Sequence, residues 1–176
     1  METKKPSVSA NAINYGLITG AVMIVYSLIL YIANLYMNRN LGYISYVFLV
    51  AGMGWGTFEL RKKYENGLMT YGEAFISCFL IGLFAGILST IYIFVFAKFI
   101  NPGFINEILE QSRVQMQARN MNDDQIETAM EYTKRFTSPV WLVIWGFVAY
   151  VFMSLVLGLI AAIFLKKTDS SAPPAL

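Results

Sequence analysis

The chain has 176 residues, 57% of them apolar and only 14% charged, with a mean hydropathy of +0.55. Soluble domains run at about 45–50% apolar and about 25% charged. Four stretches carry no charge at all: Ile13–Met37, Leu41–Phe58, Ala74–Ala97 and Val140–Leu165, of 25, 18, 24 and 26 residues, together more than half the chain. This distribution excludes a soluble globular enzyme, a disordered chain and a nucleic-acid binder. There is no His and a single Cys, Cys78. Histidine acid–base chemistry, Ser-His-Asp or Cys-His nucleophiles and His metal ligands are therefore excluded, and no disulfide can close within the chain. Neither a catalytic residue nor a cofactor or metal site is expected.

Residues 1–12 read as an N-terminal tail with Lys4 and Lys5. The first charge-free run, from Ile13, exceeds the 7–15 residues of a signal-peptide core, and no small-x-small cleavage site follows it. It reads as a membrane span. A crossing helix needs about 20 apolar residues at ~1.5 Å each, so the runs of 24 to 26 residues suffice with tilt. The second, Leu41–Phe58, reaches ~27 Å and is short but adequate. Helices satisfy every backbone polar group internally, as lipid demands. Residues 13–97 thus hold spans one to three, and 140–165 hold span four.

Residues 98–139, between spans three and four, read as a helical hairpin. Asn101-Pro102 breaks span three, and Pro102 is expected as the first residue of a new helix. Ile105, Ile108, Leu109, Ser112 and Met116 recur at helical spacing. Asn120-Met121 forms the turn. Asn122 with Gln125 predicts a capping box. Asp123 and Asp124 in the first turn and Lys134 and Arg135 in the last complement the helix dipole. Ile126, Ala129, Met130 and Phe136 form the apolar face. Ser138-Pro139 then starts span four. The hairpin acids lack the spacing and central Gly of a calcium loop.

Small residues one turn apart recur at Gly16/Gly20, Gly52/Gly56, Gly82/Gly86 and Ser154/Gly158. Such pairs let helix backbones approach closely and are the helix-packing candidates. Whether they face inward or serve a dimer is not legible in the sequence. No ionisable residue lies mid-span, where it would flag function. Glu59 is expected to pair with Lys63, and Glu73 to cap span three. Asn14 and Asn34 are expected to hydrogen-bond between helices.

Basic residues set orientation. Lys4, Lys5, Arg61, Lys62, Lys63, Lys166 and Lys167 cluster near span ends on one side. Arg39, Lys98, Arg113, Arg119, Lys134 and Arg135 are more dispersed on the other, mostly in a loop that also holds six acids. Both termini, including the 166–176 tail, and the Arg61–Gly72 loop are therefore expected in the cytoplasm. The hairpin is then extracytoplasmic.

The loop before span three reads Tyr64-Glu65-Asn66-Gly67-Leu68-Met69-Thr70-Tyr71-Gly72-Glu73-Ala74-Phe75. With the opening Tyr15-Gly16-Leu17-Ile18-Thr19-Gly20, the charged hairpin and the Lys-Lys end, the chain resembles the small membrane proteins called domain of unknown function 4199. The resemblance runs from about Asn14 to Lys167. It implies a protein of the bacterial inner membrane, marks Tyr71, Gly72, Ala74 and Phe75 as the family-like signature, and transfers no catalytic or ligand residue.

The expected fold is thus an all-α integral membrane protein, a four-helix bundle with an extracytoplasmic hairpin between spans three and four. The expected function is that of a non-enzymatic accessory or envelope component acting through its hairpin. The alternative is a small oligomeric transporter or channel, which would need a polar path past Ser77, Ser89 and Thr90. Expected partners are the lipid bilayer and either a second copy of the chain or a membrane or periplasmic protein.

Overall fold

A computed structural model describes residues 7–64 and 67–167. The Lys4–Lys5 pair, Glu65–Asn66 of the signature loop and the tail beyond Lys167 lie outside the described residues. The order is α1 (Val8–Ile32), a short α2 (Arg39–Gly42), α3 (Ile44–Lys62), α4 (Tyr71–Val95) running into a π-helical turn at Phe96–Ile100, α5 (Phe104–Ala118), α6 (Asp123–Phe136) and α7 (Pro139–Leu165). Among the described residues there is no strand, only an isolated antiparallel bridge between Met69 and Lys167. Four helical stretches are long and apolar enough to cross a membrane: Val8–Ile32, Arg39–Lys62, Tyr71–Ile100 and Pro139–Leu165.

The helix bounds differ from the charge-free runs for local reasons. Ser7 caps α1, its hydroxyl accepting from the Ala10 N–H at 3.3 Å, so the helix starts before Ile13. It stops at Ile32, because Asn34 takes the left-handed conformation (φ 56°) that turns the chain. Asn34 is therefore an exposed turn residue and not an interhelical donor. The third apolar stretch continues past Ala97 through Lys98, whose ammonium lies 5.6 Å from the centre of the Phe94 ring. Pro102 does not open α5. Gly103 is the N-cap, and its N–H is held by the Asn101 side-chain oxygen at 3.1 Å.

The chain divides into two compact units, one made of the described residues to Ser89 and from Ala149, the other of Thr90–Val148. In the first, α4 is the hub. It packs on α1 through Ile81, Phe84 and Ala85, and on α7 through Cys78 and Phe79. The core of this unit includes Ala12, Met23, Leu49, Met53, Cys78, Ile81 and Ala85. Large apolar side chains such as Ile32, Val47, Phe152 and Phe164 point outward.

In the second unit, α5 and α6 pack together across the Arg119–Asn122 turn, where Asn120 is left-handed at φ 57°. The Asn122 side chain accepts from the Gln125 N–H at 2.8 Å, and the Gln125 side chain accepts from the Asn122 N–H at 3.1 Å. This reciprocal box satisfies two otherwise orphaned donors. Ile126 and Met130 are buried on α6, whereas Phe136 is half exposed and meets Trp141 edge to face at 5.5 Å.

Candidate functional site

The eight small residues singled out by spacing are all buried, and each sits where helices meet. A Cβ on Gly16 would lie 2.6 Å from Phe84 Cβ on α4, and one on Gly20 would lie 3.2 Å from the Ala85 carbonyl oxygen. On α3, Gly52 accommodates the Thr19 hydroxyl and Gly56 the Tyr15 side chain. On α4, Gly82 faces Met53 and Ser154, while Gly86 faces Tyr150. Gly158 is looser, since a Cβ there would come no nearer than 3.5 Å to its first neighbour, Phe79 N. By contrast, Gly54, Gly72 and Gly146 face open space.

Close approach brings polar groups together in this core. The Asn11 amide donates to the Gly56 carbonyl oxygen at 2.8 Å. Thr19 returns its hydroxyl to Tyr15 O at 2.6 Å, one turn back in its own helix. Thr57 donates to Ser77 at 2.9 Å and lies 3.3 Å from Cys78 Sγ. Asn11 Oδ1 and Ser154 Oγ are buried without a hydrogen-bond partner among the described residues. Asn14, in contrast, is exposed. It makes none of the hydrogen bonds seen between helices. Asn11 is not singled out by the sequence, because it lies before Ile13, where the first span is expected to begin. Ser89 and Thr90 are buried as well.

A second cluster joins the end of α7 to the loop before α4. Met69 and Lys167 exchange both backbone hydrogen bonds at 2.9 Å. Arg61 Nη1 donates to Leu165 O at 2.9 Å, satisfying a carbonyl that a helix C-terminus leaves bare. Thr70 N and Oγ1 both donate to Glu73 Oε2 at 2.9 Å, and Glu73 N donates back to Thr70 Oγ1 at 3.3 Å. Gly67 supplies the left-handed residue of this loop, at φ 63°. Burial, and then the Glu73 charge, raise the Tyr64 phenol above its ordinary value, so it stays neutral. Glu59 pairs with Lys62 at 2.6 Å and not with Lys63, because Lys63 has left the helix as its C-cap.

The signature residues divide at this end. Ala74 is fully buried with Leu60, Met69 and Ala162. Phe75 packs on that cluster and stacks on Phe79 at 6.0 Å. Tyr71 is partly exposed and donates to Leu159 O at 3.2 Å, while Gly72 lies open.

The charged concavity lies on α5 and α6. A cleft of about 530 Å³ is lined by residues that include Arg113, Asp123, Glu127, Met130, Glu131 and Lys134. Among the described residues no three His, Cys, Asp or Glu side chains are grouped to hold a metal.

A glycine-packed set of apolar helices carrying a charged helical hairpin defines the class. Residues 14–167 match the family described as protein of unknown function (DUF4199), and the chain belongs to that family. No curated protein and no solved structure matches the chain.

Proposed function

We propose that the chain is a non-enzymatic, multi-pass protein of the bacterial inner membrane, with both termini in the cytoplasm and α5–α6 on the outer side. It acts as an accessory or envelope component through that hairpin. The supporting observation is the α5–α6 cleft, whose lining combines Arg113 and Lys134 with Asp123, Glu127 and Glu131 and with the buried Ile126 and Met130. Concave surfaces that combine an apolar lining with convergent polar groups suit recognition. The bundle itself supplies close-packed glycines and hydroxyls, with Glu59 and Glu73 near its helix ends.

The test is photocrosslinking from Glu127 and Glu131 in intact cells, followed by capture of the tagged protein. A reproducible adduct lost in a Met130→Asp variant supports the reading. Adducts only to lipid and to the chain itself overturn it. Orientation is tested separately with single cysteines. Thr128→Cys should react with an impermeant maleimide from outside the cell, and Lys63→Cys only after lysis.

A small oligomeric transporter is the second reading. The unpartnered Asn11 Oδ1 and Ser154 Oγ favour it, since buried polar atoms without partners suit a water-filled path. Maleimide labelling of Ser77→Cys, Ser89→Cys and Thr90→Cys from water supports this reading, and uniform protection removes it.

A further inference from the structure

We propose that α1 carries the contact surface for a second copy of this chain, centred on Asn14; this rests on the membrane reading above. Asn14 is exposed, whereas Met23 is 3% exposed. The two are nine residues apart, about two and a half turns, so Asn14 points to the opposite side of the helix. The same outward side presents Ala10, Ile18, Ala21 and Val25 at helical spacing, all exposed.

The amide side chain has two donor hydrogens and an acceptor oxygen. Asn11, almost one turn earlier, turns inward and donates to Gly56 O. Asn14 turns outward on a helix apolar enough to cross a membrane. Its depth follows from its neighbour. Asn11 is level with Gly56, which lies three residues before Glu59 at the end of α3. Asn14 is further still from that end. Acyl chains offer an amide neither donor nor acceptor, so such an exposed group is costly. A second copy related by a two-fold axis brings the same amide to meet it, and each can donate to the other. Ala10 and Ala21 flank Asn14 and allow the backbones to approach. The glycines of the four small-residue pairs are already enclosed within one chain. They are not available for this contact.

The experiment uses the full chain in native membrane vesicles, in a Cys78→Ser background, with single cysteines at Ala21 on the outward side of α1 or at Ile163 on α7. Both positions are exposed. Oxidation should give dimer through Ala21→Cys at about ten times the yield through Ile163→Cys. Adding Asn14→Leu should lower the Ala21→Cys yield about tenfold, the scale of an interhelical hydrogen bond, while Asn14→Gln preserves it. Size-exclusion in detergent checks that each variant remains folded, as expected for an exposed position. Equal yields at the two sites, no effect of Asn14→Leu, or an adduct to a different protein would each overturn the proposal. Carbonate extraction separates the two readings. Release of the protein removes the membrane reading, whereas a membrane-retained monomer removes only the dimer.

Discussion

The Gly56 carbonyl oxygen accepts the Asn11 amide at 2.8 Å, and the same glycine leaves room for Tyr15, whose Cβ would lie 2.7 Å from a Cβ at position 56. One residue therefore serves both as acceptor and as the place where α1 and α3 come together.

Gly56→Ala should destabilise by about 1–3 kcal/mol, the usual cost of overpacking a tight contact. Gly54→Ala in the same helix faces open space and should be neutral or stabilising by up to about 1 kcal/mol through helix propensity. Gly158→Ala should be tolerated, since its neighbours begin at 3.5 Å. Thermal unfolding in detergent checks all three. Equal effects at positions 54 and 56 would contradict the packing described.

Thr57→Val keeps the shape of the side chain and removes its hydroxyl from Ser77 and Cys78. The expected loss is about 0.5–1.5 kcal/mol. A double-mutant cycle with Ser77→Ala should show non-additivity, because the two hydroxyls share one bond.

Arg61→Met removes the guanidinium, which lies 4.9 Å from the centre of the Phe58 ring and donates to Leu165 O. Hydrogen exchange should accelerate at the Met69 and Lys167 amides, which bond to each other's carbonyls. Exchange in α1 should remain unchanged. Unaltered protection at both amides would mean that the guanidinium does not hold this end together.

Asn122→Ala removes the oxygen that receives the Gln125 N–H. A lost N-cap costs about 1 kcal/mol. Faster exchange is expected at the Gln125 and Ile126 amides of the full-length protein, with little change in α5.

Features governed by near neighbours in the chain were legible. The apolar runs, the Asn122–Gln125 box and the Glu73 cap each depend on residues within a turn or two. The same local rules missed where helices stop when a single dihedral decides it, as at Asn34. They also put Lys63 in place of Lys62 as the partner of Glu59, since the pairing depended on which lysine still belonged to the helix.

Composition and spacing alone determined that the chain is helical, that four stretches are apolar enough to cross a membrane, and that small residues recur one turn apart. Tertiary structure decided which side of each helix those residues occupy. It turned Asn11 inward and Asn14 outward, set Thr57 against Ser77, and joined Met69 to Lys167 across almost a hundred residues. The reason is rotational. These helices are apolar all round, so no polar stripe fixes their orientation, and only the close fit of one helix against another does.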